Sequence, residues 1–301
     1  MCGIVGYIGE KEANDLLISG LEKLEYRGYD SAGVAIISND TIRINKKKGR
    51  VENLKLVPKL QGTMGIAHTR WSTHGVPSDR NAHPFTDQSN RFAVVHNGII
   101  ENYLELKEEL RNQGVQFSSD TDSEVIVHLI AKNYNGDLKD TVLKNIKRLQ
   151  GAYSFCIIQN DSQDIIGARN GSPLVIGKGK KENFFASDVS AIIEHTRDVI
   201  YLNDFQIARI TKDKVEVFDF QGQEEPLDVR EVNWTLEKAQ KQGYKHFMLK
   251  EIFEQPEVIR ETLKVPINVS RNFSRIIVVA CGTASYACLV GKYLIEEVAK
   301  I

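Results

Sequence analysis

The feature that most constrains the fold of this chain is a series of short strand-like runs through its first two thirds. The runs are rich in β-branched and aromatic residues and cover residues 4–8, 33–37, 64–68, 92–96, 153–158 and 207–210. Helical patterns interrupt them irregularly, with apolar residues on one face at Leu17, Leu21 and Leu24 and again at Tyr103, Leu106 and Leu110, where Gly114 is a stop signal. The irregular order argues against a doubly wound parallel sheet. It favours an α+β arrangement in which sheets are covered by a few helices.

The character of the sequence changes near residue 225, which predicts three regions. Residues 1–225 form the first domain, and residues 226–270 read as a polar, helix-permissive connector. Residues 271–301 begin with the apolar run 276–280, which predicts a buried strand, and continue through a Gly-Thr-x-Ser turn into a helix. One strand and one helix cannot cover a parallel sheet, so this last region reads as an incomplete α/β unit. We expect the apolar face of its helix to lack a partner within this chain.

Composition and charge exclude several classes of function. The net charge of −1 gives no basic field, so we do not expect nucleic acid as a partner. The longest apolar runs are far too short to cross a bilayer, and the start Met1-Cys2-Gly3 does not resemble a signal peptide. We therefore expect a cytoplasmic protein without a membrane partner. The four cysteines form no CxxC pair and should stay reduced there.

Cys2 is the first candidate for chemistry because only an initiator methionine precedes it. Removal of Met1 would place a thiol beside a free α-amino group, whose pKa of about 7.7–8.0 suits a general base. Gly3 leaves room for an acyl group to approach. The alternative is that position 2 is simply the start of the chain, and position alone does not decide between the two.

A second candidate is the run His96-Asn97-Gly98 after a predicted strand. Asn-Gly after a strand is a favoured hairpin turn, which is the structural alternative. The functional interpretation is an oxyanion hole, in which the Asn97 side-chain amide and the Gly98 backbone N–H both stabilise a developing negative charge. The residues that follow have a helical pattern and no matching strand, which weakens the hairpin interpretation.

Two polar segments could bind a substrate with a carboxylate and an ammonium group. The run from His68 to Gly75 combines Arg70, Trp71, Thr73 and His74, and an arginine can fork onto a carboxylate. The alternative is a surface loop with a partly buried tryptophan. Asp120-Thr121-Asp122-Ser123 offers helix-capping side chains, and Asp122 could also face an ammonium group. His83 is equally ambiguous.

A metal-dependent amidohydrolase is a further alternative. The chain has seven histidines, but it contains neither an HExxH pattern nor a Cys/His ligand spacing. His68, His74, His83 and His96 would cluster only through folding. We therefore predict neither a metal nor another cofactor.

Taken in order, these segments resemble the N-terminal-nucleophile glutamine amidotransferases. Within that class the resemblance is to the glutamine–fructose-6-phosphate aminotransferases (isomerising), also called glucosamine-6-phosphate synthases. The segments that carry it are Met1-Cys2-Gly3-Ile4-Val5-Gly6-Tyr7, Tyr26-Arg27-Gly28-Tyr29-Asp30-Ser31-Ala32-Gly33, the run His68 to Gly75, Asn81-Ala82-His83-Pro84, His96-Asn97-Gly98-Ile99-Ile100-Glu101-Asn102 and Thr121-Asp122-Ser123-Glu124. The segment from His246 to Pro256 and Ala280-Cys281-Gly282-Thr283 resemble the linker and the first strand and turn of the isomerase half.

The resemblance implies a fold and a role for each matching residue. The fold would be a four-layer αββα sandwich with largely antiparallel sheets. Cys2 would be the nucleophile, with Asn97 and Gly98 as the oxyanion hole. The residues that would bind or enclose L-glutamine are Arg70, Trp71, Thr73, His74, His83 and Asp122. In the full-length enzyme the released ammonia would convert fructose 6-phosphate to glucosamine 6-phosphate.

The sequence departs from the family pattern in three ways. Ser72 stands where the family usually has alanine. The run from Cys281 to Tyr286 differs from the usual Cys-Gly-Thr-Ser-Tyr-His. Thr283 and Ser285 are therefore candidates for only part of a sugar-phosphate site. The family enzyme is also much longer than this chain, and its homodimer is held mainly through the isomerase half. The alternative function is therefore a non-catalytic, glutamine-binding regulatory fragment.

Overall fold

The computed structural model describes residues 2–232, 244–245, 247–266 and 275–300. These residues fall into two compact units, Met1–Gln242 and Gly243–Ile301, which are described separately.

The first unit is built mainly from short antiparallel strands. In the described residues they are β1 Gly3–Ile8, β2 Ser31–Ser38, β3 Thr41–Lys48, β4 Met64–Arg70, β5 Phe85–Thr86, β6 Phe92–Gly98, β7 Tyr153–Gln159, β8 Ile165–Asn170, β9 Val175–Lys178, β10 Asn183–Ala186, β11 Asp198–Tyr201, β12 Gln206–Ile210, β13 Val215–Asp219, β14 Glu224–Glu225 and β15 Val229–Glu231. Each of the six strand-like runs in the first two thirds of the sequence lies in one of these strands. Their β-branched and aromatic residues therefore predicted six of the strands correctly.

The described strands form two sheets. One has the order β15-β11-β9-β10-β1-β4-β2-β3, and the other has the order β14-β13-β12-β8-β7-β6-β5. All the pairings are antiparallel, including those of β1 with β4 and of β6 with β7. Because β1 and β4 run in opposite directions, the start of β1 lies beside the end of β4, with Gly3 opposite Thr69. Strand β15 extends the first sheet beyond residue 225, where the sequence placed the end of the first domain.

Four helices accompany the sheets in the described part of the first unit: α1 Ala13–Leu24, α2 Tyr103–Asn112, α3 Glu124–Lys132 and α4 Leu138–Ile146. Leu17, Leu21 and Leu24 of α1 pack in one apolar cluster with Val5 and Tyr7 of β1. The apolar residues of α2, α3 and α4 pack in another cluster with β6, β7 and β8 of the second sheet. Each set of helices therefore covers the outer face of one sheet.

The inner faces of the two sheets pack against each other. Ile4 and Ile8 of β1 share a buried cluster with Ala93 and Val95 of β6. Successive residues of a strand point to opposite faces, which explains why Val5 contacts the helix layer while Ile4 lies between the sheets. The layers are thus helix, sheet, sheet, helix, and the predicted four-layer αββα fold is confirmed.

The start of α3 corrects one expectation. Ser123, the residue before the helix, makes no side-chain capping bond, and Asp120 does not cap the helix either. Glu124 instead reaches back and accepts hydrogen bonds from the backbone N–H groups of Ser118 and Ser119, both at 2.7 Å. Burial alone would raise the pKa of Glu124, but donors on His128, Ser119 and Ser118 lower it to about 2. Glu124 therefore holds the segment before α3, and it does not cap the helix, because Ser118 and Ser119 lie outside α3.

The described part of the second unit contains two helices, α5 Phe247–Leu263 and α6 Thr283–Ala299. The predicted helix after the Gly-Thr-x-Ser turn is therefore present. The strand predicted at residues 276–280 is wrong, because residues 275–280 have no regular structure and Val279 is 90% exposed. A strand needs a neighbour to accept its backbone hydrogen bonds, and none pairs with this run in the described residues. In the part of the chain that the structure describes, no helix is long and apolar enough to cross a membrane.

Candidate functional site

Cys2 lies at one end of the sandwich, directly before β1 and beside the end of β4. Its sulfur accepts a hydrogen bond from the backbone N–H of Trp71 at 3.2 Å, and Sγ lies 3.5 Å from the Trp71 carbonyl oxygen. Burial raises the pKa of the Cys2 thiol above its ordinary value, while the Trp71 N–H lowers it. The thiol therefore needs a base before it can act as a nucleophile near neutral pH.

Gly3 fits its neighbours so closely that no larger residue could replace it without a shift. A β-carbon there would lie 2.6 Å from Thr69 Oγ1 and 2.8 Å from Leu24 Cβ. Both distances are shorter than real contacts allow. The start of the chain is thus fitted between β4 and α1, which determines where Cys2 lies.

Asn97, near the end of β6, reaches Cys2 from the opposite sheet. Its Nδ2 donates to the Cys2 carbonyl oxygen at 3.2 Å, and its Oδ1 lies 2.9 Å from Nε2 of His68 on β4. Asn97 is only 5% exposed. The structure therefore brings an amide N–H donor to Cys2, the predicted nucleophile, and the role of Asn97 in an oxyanion hole stays a prediction.

Gly98 has a backbone conformation that other residues rarely adopt. Its φ is +113°, and a β-carbon at this position would lie 2.0 Å from the carbonyl oxygen of Ala152. The hairpin interpretation of Asn97-Gly98 is wrong, because β6 pairs with the distant β7 and the chain after Gly98 leads into α2. Glycine is needed here because the end of β6 lies directly against the residue before β7.

Arg70, the last residue of β4, is buried and only partly paired. Nη2 donates to the carbonyl oxygens of His74 and Gly75, whereas Nη1 is buried without a hydrogen-bond partner. Burial lowers the pKa of this guanidinium, and the negative charges of Asp30, Cys2 and Asp122 act in the opposite direction. An unpaired guanidinium nitrogen near Cys2 is suited to a substrate carboxylate.

The loop after Arg70 lies near the surface. Trp71 is 49% exposed, which agrees with a partly buried tryptophan in a surface loop, and its ring meets the edge of Tyr29 at a centroid distance of 5.5 Å. Thr73 is exposed, and the His74 ring meets Tyr103 at 5.4 Å.

Asp30 holds this loop, although sequence reasoning did not single it out. Its Oδ2 accepts hydrogen bonds from both the backbone N–H and the hydroxyl of Ser72. Its own N–H donates to the Arg70 carbonyl oxygen at 3.1 Å. The available signal was the acidic residue inside the run from Tyr26 to Gly33, but its role depends on contacts with a segment some forty residues away.

Asp122 lies before α3 and is 3% exposed. Its Oδ2 accepts the backbone N–H of Ile100 at 2.8 Å, which ties the carboxylate to the segment directly after Gly98. Asp122 is also close enough to Arg70 for its charge to affect the pKa of the guanidinium. The two charged residues predicted for the ends of glutamine therefore lie near each other.

His83 stacks between two other buried histidines. Its ring lies 4.1 Å from that of His68 and 6.4 Å from that of His96, with interplanar angles of 19° and 14°. Burial lowers the pKa of all three, that of His68 to about 3, so the rings are neutral near pH 7. No group of three histidine, cysteine or acidic side chains in the described residues is arranged to hold a metal ion.

The two candidates for a sugar-phosphate site lie in the second unit. Thr283 begins α6 and is exposed, and the Ser285 hydroxyl donates to the Gly282 carbonyl oxygen at 2.6 Å. Their role as phosphate ligands remains a prediction.

Comparison with known proteins agrees with this geometry. Residues 68–194 match the family described as glutamine amidotransferase domain. The chain is 50% identical to glutamine–fructose-6-phosphate aminotransferase (isomerizing) from Aquifex aeolicus, over 100% of this chain and 53% of the relative. It is 50% identical to the protein of the same name from Fusobacterium nucleatum, over 99% of this chain and 52% of the relative. The chain thus spans about half the length of the curated relatives it matches.

Solved structures place the fold in the same group. Glutamine phosphoribosylpyrophosphate amidotransferase from B. subtilis superposes with a TM-score of 0.65 and 28% identity, over 73% of this chain and 49% of that one. The solved structure of an allosteric regulatory enzyme of purine biosynthesis gives a TM-score of 0.64 and 29% identity, with the same coverage. The chain therefore has the four-layer fold of the N-terminal-nucleophile amidotransferases, contains a match to the glutamine amidotransferase domain, and is similar to about half of a glutamine–fructose-6-phosphate aminotransferase.

Proposed function

We propose that this chain hydrolyses the side-chain amide of L-glutamine through a thioester on Cys2. The observation that carries the proposal is the hydrogen bond from Asn97 Nδ2 to the Cys2 carbonyl oxygen. It shows that a fixed amide donor from the second sheet reaches the residue whose sulfur would attack. Asn97 and the backbone N–H of Gly98 would stabilise the oxyanion of the tetrahedral intermediate.

Glutamine would be held by its charged ends. The unpaired Nη1 of Arg70 would bind the carboxylate, and the Asp122 carboxylate would bind the α-ammonium group. Thr73 and His74 would add hydrogen bonds to the substrate. Trp71 would close over it from the exposed loop, and His83 would lie beside the pocket.

The reaction would then proceed in two acyl-transfer steps. After removal of Met1, the α-amino group of Cys2 takes the thiol proton, directly or through a water, and the thiolate attacks the amide carbon. The C–N bond breaks, the amine returns the proton to the leaving nitrogen, and ammonia departs. Water activated by the same amine then attacks the γ-glutamyl thioester, which releases glutamate and restores the Cys2 thiol.

The wider context is also a proposal. We propose residues 1–225 as the glutaminase domain, 226–270 as a connector and 271–301 as the start of a sugar-phosphate isomerase domain. In a longer protein, the ammonia would convert fructose 6-phosphate to glucosamine 6-phosphate in hexosamine biosynthesis. Cytoplasmic location and a homodimer are further expectations from the same family.

The test is intact-mass analysis after treatment with an electrophilic glutamine analogue, combined with an assay of glutamate release. We expect one adduct on Cys2 of a chain that lacks Met1, and none in Cys2→Ala. Cys281→Ala is the matched control, because Cys281 is exposed and its loss should leave the adduct in place. An unmodified Cys2 with Met1 retained would overturn the proposal. Glutamine binding without glutamate release would instead support the non-catalytic alternative.

A further inference from the structure

His68 and Asn97 come from different sheets and meet between them. His68 lies on β4 opposite Ile4, and it is completely buried. Its Nε2 lies 2.9 Å from Asn97 Oδ1, within normal hydrogen-bond distance. The histidine therefore contacts the proposed oxyanion donor on the side away from Cys2.

The contacts of Asn97 determine which atom of each group carries the hydrogen. The Cys2 carbonyl oxygen can only accept a hydrogen bond, so the NH₂ group of Asn97 must face it. Oδ1 then faces His68 and can only accept. His68 must therefore carry its proton on Nε2 and donate it to Asn97.

The His68 ring is itself held firmly. His83 stacks on it, and Nδ1 of His83 accepts the backbone N–H of His96 at 3.2 Å. Lys46 Nζ donates to the carbonyl oxygens of Ala82 at 2.9 Å and Pro84 at 3.3 Å, the residues on either side of His83. The donor to Asn97 is therefore fixed by packing on one side and by strand β4 on the other.

We infer that His68 is a positioning residue for the oxyanion hole: its Nε2–H holds the Asn97 amide with the NH₂ group towards the reacting carbonyl. This inference rests on the proposed glutaminase function. Without this donor, the amide can rotate by half a turn and present Oδ1, a partial negative charge, to the developing oxyanion. The cost should then approach that of losing an oxyanion donor, which is about 10²–10³ in kcat.

Two substitutions of matched length test the inference. His68→Gln places an N–H donor the same number of bonds from the backbone as Nε2, whereas His68→Met has the same reach and no donor. We expect His68→Gln to stay within about fivefold of the wild-type kcat, and His68→Met to lose about 10²–10³-fold, with KM nearly unchanged in both. Simple alkylation of Cys2 by iodoacetamide, which forms no oxyanion, should proceed at similar rates in all three proteins.

Two further measurements separate positioning from a general role in folding. In an Asn97→Ala background, His68→Met should cause little additional loss of kcat, because the group that it positions is absent. Nitrogen NMR of the unaltered protein should show His68 neutral and protonated on Nε2, a readout that needs no variant to fold. Equal kcat values for His68→Gln and His68→Met, or a proton on Nδ1, would overturn the inference. Absence of glutaminase activity in the unaltered protein would instead refute the proposed function.

Discussion

Replacing Gly98 by alanine adds one methyl group at the most crowded point of the candidate site. The new β-carbon would lie 2.0 Å from the Ala152 carbonyl oxygen, whereas ordinary contacts begin at 3.4 Å. The end of β6 must therefore move away from the residue before β7 by more than about 1 Å. Asn97 is the neighbouring residue in the chain, so its amide would move as well.

The expected effects follow from that displacement. Overpacking costs about 1–3 kcal/mol, and a positive φ in alanine adds about 1–2 kcal/mol, which together reduce the free energy of unfolding by roughly 2–5 kcal/mol. A misplacement of about 1 Å in a catalytic group can reduce the rate about 10²-fold. We therefore expect a large fall in kcat for glutamate release, even at temperatures where the variant remains folded.

Gly136→Ala is the matched control for backbone strain. Gly136 has a similar φ of +104°, but a β-carbon there would meet no atom within 4 Å. This variant should lose only about 1–2 kcal/mol of stability and keep its kcat. Both variants are compared by urea unfolding and by glutamate release under saturating glutamine. A Gly98→Ala protein with wild-type kcat and no more destabilisation than Gly136→Ala would refute the reasoning.

Three other predictions, tested with four substitutions, concern single contacts of the site and its support. Asp122→Asn keeps an acceptor for the backbone but removes the charge that we propose binds the substrate ammonium, so KM for glutamine should rise about 10–100-fold with kcat nearly unchanged; an unchanged KM would argue against this role. Asp30→Ala removes the acceptor of both Ser72 donors and should raise KM about tenfold, whereas Ser72→Ala keeps the backbone N–H donor and should change KM less than about threefold. Equal effects of the two substitutions on KM would contradict the role of Asp30 in holding the loop. Glu124 has a pKa lowered from 4.5 to about 2, so its contribution to folding is present above pH 4.5 and is lost as the pH falls towards 2. The stability difference between wild type and Glu124→Gln in urea unfolding should therefore shrink by about 2 kcal/mol between pH 6 and pH 3, and a constant difference would disprove the linkage.

Six strands of the first unit were predictable from their apolar, β-branched runs, whereas the four layers were expected only from the family resemblance. Ile4 and Val5 point to different faces of β1, and both faces are covered, so the run is apolar on both sides. The strand expected at residues 276–280 failed for a related reason. An apolar run has strand propensity, but a strand also requires a neighbour, and residues outside the run supply it.

Candidate site residues could be singled out where one segment contains the relevant residue types. They were missed where the function depends on a contact between two distant segments. Cys2 and Asn97-Gly98 were candidates from local residue types, although each had a structural alternative until the ordered motifs were taken together. Asp30 and His68 are not, because their importance lies in contacts with Ser72 and Asn97 across the fold. Capping of α3 was misjudged because the Asp120 carboxylate instead accepts hydrogen bonds from Arg80 and Asn81, residues some forty positions away in the sequence.

The contact between Cys2 and Asn97 joins residues 95 positions apart and bridges two sheets. Cys2, the proposed nucleophile, is synthesised before the amide donor, and the strand that carries the donor pairs with β7 only after β7 has been made. The cysteine of a nascent or partly unfolded chain would therefore lack its oxyanion donor and release no ammonia. The proposed glutaminase activity of this domain would accordingly depend on the packing of the two sheets against each other.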